Sequence, residues 1–146
     1  MAVPNHTTVE PIDLRHQGVG GAIGVYLLDT DDGPALFDCG PATAFERLRA
    51  EVDLHELRHL LLSHIHLDHA GAAGHVVREN PRIQVHVSEI GLPHLVDPSR
   101  LIASARRLYG DTLDTLFGEP APVPTENVAL GSTQPIDATI IPFALA

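Results

Sequence analysis

A mixed α/β (α+β) domain is the expectation for this chain, and three features lead to it. Strand-like and helix-like segments alternate through the first half. The run Leu60-Leu61-Leu62 is apolar at consecutive positions, as in a strand covered on both faces. The length, 146 residues with 44% hydrophobic and 19% charged, suits a single packed domain spanning 1–146 and leaves hardly room for two.

Taken in order, Thr7 to Leu14 reads as a short strand, and Ala22 to Leu28, apolar and partly β-branched, as a second. Gly18-Val19-Gly20-Gly21 leads into that second strand and lacks a following Lys-Ser/Thr pair, so it is not a phosphate loop. Asp29 to Pro34 is dense turn chemistry and Ala35-Leu36-Phe37 resumes the extended chain, which predicts an antiparallel hairpin. Ala44, Phe45, Leu48 and Val52 then recur at helical spacing, with Glu46, Arg47, Arg49 and Glu51 on the other side. After the Leu60–Leu62 strand, a helix is expected from near His69 to Asn80, where Pro81 stops it. Ile83 to Val87 is the next strand, with Ile83, Val85 and Val87 on one face. Pro98 to Tyr109 is the best later helix, Pro98 suiting a first-turn position. Glu119 to Pro124 is a stiff extended connector, and Ala138 to Ile141 reads as a strand entering the core.

Composition narrows the function classes. Gly and Pro show no period, and Cys39 is the only cysteine, so collagen-like and disulfide-scaffold readings fail. The lone cysteine fits a reducing compartment. Nine basic residues, all Arg, against 19 acidic give a net charge of −10, which argues against nucleic acid or an anionic membrane as a partner. Met1 to Asp13 lacks the apolar stretch of a signal peptide, and no run approaches a membrane span. A cytoplasmic protein is the expectation. Histidine is the outlier: ten of them, more than all the basic residues together. That surplus asks for a metal or acid–base explanation.

The surplus is concentrated in Ser63-His64-Ile65-His66-Leu67-Asp68-His69-Ala70-Gly71, between a buried strand and a helix. Side chains two apart in an extended chain point the same way, so His64 and His66 can aim at one ion. As the chain turns into the helix, Asp68 and His69 swing round toward a second, adjacent ion. Ala70 to Gly74 are all small and would let the helix pack closely. The bland reading is a histidine-rich loop with no ion, which three histidines and an aspartate within six positions make harder to hold. His86 is expected at a surface or pocket rim, His55 and His59 on the approach to the strand. His75 faces another side of its helix, and His6, His16 and His94 have no spacing partner. Cys39 reads as a small buried residue rather than a soft ligand.

The run His64-x-His66-x-Asp68-His69, after an apolar strand and before Gly71, resembles the signature of the metallo-β-lactamase fold hydrolases. Phe37-Asp38-Cys39-Gly40 is similar to that family's Asp-x-Gly turn at the end of an earlier strand. The resemblance runs from about Val9 to the C-terminus. It implies the N-terminal half of an αββα sandwich, a mixed sheet with flanking helices. It also implies His64 and His66 as ligands of a first metal, Asp68 and His69 as ligands of a second, and Asp68 as the catalytic group handling the attacking water. Zinc is the implied ion, one or two, with iron or manganese suited by the same donors. Asp38 would be a buried carboxylate supporting the site, or simply an aspartate ending a strand in a tight turn. The implied reaction is hydrolysis of an ester, thioester, lactone or amide in a small-molecule substrate by a metal-bound hydroxide.

The family also uses a Thr-Pro-Gly-His turn, a bridging aspartate and a final histidine. Phe143 to Ala146 stand roughly where that turn would start and do not match it. Two other readings therefore remain open at this point. One is a C-terminally truncated, catalytically silent chain that at most binds metal. The other is a half-domain whose site is completed by a homodimer or a complementing chain.

Overall fold

A computed structural model of the chain describes residues 11–130. Strand β2 (Gly24–Thr30) and strand β3 (Gly33–Phe37) form the expected antiparallel hairpin, with Tyr26 opposite Phe37 and Thr30 opposite Gly33. The turn is tighter than the sequence suggested, because Thr30 caps it. Its hydroxyl donates to the Gly33 carbonyl at 2.6 Å and accepts the Asp32 N–H at 3.1 Å. Gly33 sits at φ +122°, which side-chain-bearing residues rarely adopt, and an added Cβ would lie 2.5 Å from Cγ of Arg58. Strand β1 (Ile12–Asp13) pairs antiparallel with β2. The strand expected over Thr7 to Leu14 is thus two residues long in its described part.

From β3 the sheet turns parallel: β4 (His59–Leu61), β5 (Gln84–Val87) and β6 (Val128–Leu130) follow in sequence order, giving six strands ordered β1 to β6. Parallel neighbours need crossovers. The first is α1 (Phe45–Glu51), the second α2 (Leu67–Ala70) with α3 (Ala73–Glu79). The third holds α4 (Leu92–Val96), α5 (Ser99–Tyr109) and α6 (Leu113–Leu116). Leu36, Leu60 and Val85 are register partners across β3, β4 and β5, and each is fully buried. They share one core with Leu48, Val52, Val76 and Val77 from the crossover helices. Burying apolar side chains of this size contributes about 1.5–3 kcal/mol each.

Two expectations need correction. The helix over His69 to Asn80 is broken at Gly71–Ala72, between α2 and α3. The Ala72 N–H donates to the Gly40 carbonyl at 2.9 Å instead of continuing the helix. The small residues are needed there against neighbouring backbone: a Cβ on Gly71 would lie 2.4 Å from the Leu67 carbonyl of α2 and 3.1 Å from Cα of Pro41, and one on Gly74 would lie 2.1 Å from the Ala121 carbonyl. Second, His59 is the first residue of β4 and buried, not on an entry turn.

Other segments follow the sequence closely. Helix α5 begins directly after Pro98, and Ile83 to Val87 gives β5. The Glu119 to Pro124 connector holds neither helix nor strand, with Ala121 and Val123 buried and the Val123 N–H bonded to the Leu95 carbonyl at 2.9 Å. The strand expected over Ala138 to Ile141 lies outside the described residues. No helix among the described residues is long and apolar enough to cross a membrane.

Candidate metal centre

The site begins where β3 ends. Asp38 takes a left-handed backbone conformation, φ +58°, unusual for a residue with a side chain. Its N–H is bonded to the Leu61 carbonyl at 2.8 Å, which ties the turn to β4. The next two N–H groups, of Cys39 and Gly40, both donate to the His69 carbonyl, at 2.9 and 3.1 Å. The turn after β3 therefore holds the backbone of α2 in place. Gly40, at φ +76°, leaves no room for a side chain, since a Cβ would lie 2.3 Å from Cδ1 of Leu14.

That geometry buries the Asp38 carboxylate, 4% exposed, beneath the histidine cluster. It accepts the Ser63 N–H at 2.8 Å, the Ser63 hydroxyl at 2.8–3.0 Å and Nδ1 of His69 at 2.8 Å. A carboxylate only accepts, so the His69 proton lies on Nδ1 and Nε2 keeps its lone pair. The same logic passes through Ser63. Its single hydroxyl proton goes to Asp38, so its oxygen accepts from Nδ1 of His64, 2.9 Å away. Nε2 of His64 is then bare as well. One buried carboxylate sets the tautomers of both imidazoles in the form a metal takes. Burial first, then the neighbouring imidazoles His69 and His66, hold His64 below the usual imidazole range, which also favours the neutral ligand form.

Ligand atoms of His64, Asp68 and His69 lie within 4.8 Å of one another. Nε2 of His69 faces Oδ2 of Asp68 at 3.3 Å. With the His69 proton on Nδ1, two lone pairs confront each other there, and a cation between them resolves the repulsion. Either a second proton on His69 or a metal ion does so. Two imidazole nitrogens and one carboxylate oxygen form a donor set suited to zinc, so the residues present fit the group.

His66 stands apart from this set. Strand β4 ends at Leu61, and residues 62–66 run outside the sheet to the start of α2, with His66 still extended at φ −60°, ψ 147°. The His66 ring is edge-on to His64 with centroids 4.6 Å apart, and it is exposed. The structure thus brings together His64, Asp68 and His69, with His66 beside them. Cys39 is buried with its thiol against the carbonyls of Gly40 and His69, and burial, then Asp38, pushes its pKa up. It does not join the ligand set.

A second histidine arrangement escaped the sequence. On β4 and β5, Nδ1 of His59 lies 2.9 Å from Nε2 of His86, and Nε2 of His59 lies 2.8 Å from Oδ2 of Asp32. His86 is therefore a half-buried partner in a relay rather than a rim residue. The sequence carried little signal for it, since His59 was expected on the approach to the Leu60–Leu62 strand and His86 at a surface or pocket rim. His16 has a partner as well, its ring stacked on Phe117 and its Nε2 against the Leu116 carbonyl.

Comparison with known proteins agrees with this layout. The family model for the metallo-beta-lactamase superfamily matches residues 19–140. A ribonuclease Z from Streptomyces avermitilis is 38% identical over 74 residues, 50% of this chain and 23% of that protein. A type A flavoprotein from Rhodobacter capsulatus is 36% identical over 77 residues, 53% of this chain and 17% of that protein. Among solved structures, an archaeal metallo-beta-lactamase superfamily protein from Sulfolobus tokodaii superposes with a TM-score of 0.63 at 18% identity, over 80% of this chain and 46% of that one. The chain thus matches about a quarter or less of these curated relatives and under half of the solved structure. With its mixed sheet, its histidine cluster after β4 and a family match over most of its length, this chain belongs to the metallo-beta-lactamase superfamily.

Proposed function

We propose that this chain carries the metal-binding half of a hydrolase acting on an ester, thioester, lactone or amide of a small molecule. The observation that carries the reading is the convergence of His64, Asp68 and His69, with both imidazoles fixed by Asp38 and Ser63. Nε2 of His64, Nε2 of His69 and the Asp68 carboxylate would hold zinc, or iron or manganese, and His66 is near enough to His64 to join a second ion. The ion, when bound, supplies a Lewis acid that polarises a carbonyl and makes a water acidic at neutral pH. Asp68, with its side chain 43% exposed, is placed to orient that water and take its proton. Asp38 offsets the positive charge beneath the ligands.

A small neutral substrate is favoured over RNA, despite the ribonuclease among the relatives. The chain has no Lys and a net charge of −10, a balance that does not favour drawing in a phosphate backbone. Hydrolysis of a panel of p-nitrophenyl esters, thioesters and lactones by zinc-loaded protein tests the reading. Turnover lost on Asp68→Ala is expected. No turnover of any of them would overturn it.

A second reading, a site to which another chain contributes, draws on the partial exposure of His64, Asp68 and His69, which leaves the cluster open to a further donor. Activity that rises steeply with protein concentration, together with a dimer mass in solution, would select it.

A further inference from the structure

Helix α5 is amphipathic, yet none of its eleven residues is buried. Leu101, Ala105 and Leu108 recur at positions i, i+4 and i+7 and form one stripe. Stripes of this kind ordinarily face a core, but Leu108 is 76% exposed. The stripe instead lines a groove of about 430 Å³ that His66, Asp68 and Phe117 also line. That volume lies in the ~300–1,000 Å³ range of small-molecule sites. The wall is held by aromatic packing: Tyr109 meets Phe117 edge-on at 5.2 Å, and Phe117 stacks on His16 at 5.8 Å. Among the described residues lining the groove, Asp68 is the only acid and no Arg takes part. The arginines Arg106 and Arg107 lie elsewhere on the helix, Arg106 paired with Asp114 at 3.1 Å.

From this geometry we infer that the groove between α5 and the His66–Asp68 end of the metal centre is a tail-binding subsite for an uncharged, apolar acyl or alkyl chain. Its substrates are neutral amphiphiles, with the scissile carbonyl at the Asp68 end and an unbranched hydrocarbon tail along Leu101, Ala105 and Leu108. An anionic or cationic tail finds no counter-charge on that wall. The inference rests on the hydrolase reading for the chemistry at the head of the groove, whereas tail binding depends only on the wall.

The test separates the two. Zinc-free protein, with leucine and alanine methyls labelled, is titrated with N-octylacetamide and, as the short-chain control, N-methylacetamide. Saturable shifts at Leu101, Ala105 and Leu108 with the octyl compound alone are expected. The Kd should rise at least tenfold in Ala105→Trp, which fills the groove, and in Leu108→Glu, which charges its exposed rim without touching the core. In zinc-loaded protein, the same variants should lower the kcat/KM ratio of p-nitrophenyl octanoate to p-nitrophenyl acetate at least tenfold. Octyl binding without ester turnover would leave the subsite standing and remove the hydrolase reading. Ester turnover with no methyl shifts, or an octyl Kd unchanged in both variants, would overturn the subsite.

Discussion

Nδ1 of His69 lies 2.8 Å from Oδ2 of Asp38, a buried carboxylate 31 residues earlier in the chain. This contact joins the turn after β3 to helix α2 and fixes which nitrogen of His69 faces outward. Asp38→Asn keeps the shape but places an N–H₂ among donors, and Asp38→Ala removes the acceptor outright. Loss of such a supporting group typically costs 10–100-fold in metal affinity. We expect zinc affinity, measured by competition with a chromophoric chelator, to fall in that range in both variants. An unchanged affinity in Asp38→Ala would show that His69 does not depend on this contact.

Ser63 passes the same constraint to His64. In the zinc-free protein, nitrogen NMR of the His64 ring should show the proton on Nδ1. Ser63→Ala should mix the two tautomers and weaken zinc binding several-fold, while Ser63→Thr keeps the hydroxyl and the single tautomer. A wild-type ring protonated on Nε2 contradicts the hydrogen-bond assignment.

How much of this was legible in the sequence depended on how local each cause was. The β2–β3 hairpin and the β4 strand followed from apolar runs and turn residues close at hand. The His64–His69 cluster was visible because its members lie within six positions. The break at Gly71–Ala72 was not visible, because the Ala72 N–H is taken by the carbonyl of Gly40, far back in the chain. Nor was the His59–His86 contact, which depends on the β4–β5 register placing Leu61 opposite His86 and His59 opposite Gln84. The pairing of His64 with His66 as joint ligands assumed an extended chain beyond Leu61. The regular strand ends there, and the ligand atoms lying within 4.8 Å of one another are those of His64, Asp68 and His69, with the His66 ring 4.6 Å from that of His64.

The Asp32–His59–His86 relay gives the fold a pH dependence. Burial first, then His59, brings the His86 pKa down from 6.5 to about 4. Above pH 6.5 the ring is neutral in folded and unfolded chains alike, and no penalty arises. As pH falls from 6.5 toward 4, the unfolded chain takes up a proton that the folded one resists, so stability is lost across that window. Urea midpoints in the presence of a chelator should therefore drop between pH 7 and pH 4.5, and less so in His86→Gln. An equal drop in both proteins would assign the effect to other groups.

Close packing at α2 and α3 should be unforgiving. Gly71→Ala and Gly74→Ala each press a methyl against backbone, at 2.4 Å from the Leu67 carbonyl and 2.1 Å from the Ala121 carbonyl. Overpacking of this kind typically costs about 1–3 kcal/mol. Thermal denaturation should show both variants less stable than Gly20→Ala, where the added methyl would meet a side-chain oxygen of Asp13 at 3.5 Å. Equal melting temperatures for the three would mean that the helix–loop contacts yield freely.

Titration calorimetry of zinc into metal-free protein tests most directly whether His64, Asp68 and His69 form one metal centre. The wild type should bind at least one equivalent, with affinity reduced tenfold or more in His64→Ala, in Asp68→Ala and in His69→Ala, and unchanged in His94→Ala. Zinc binding that survives all three ligand substitutions, or a wild type that takes up no zinc, would contradict the account.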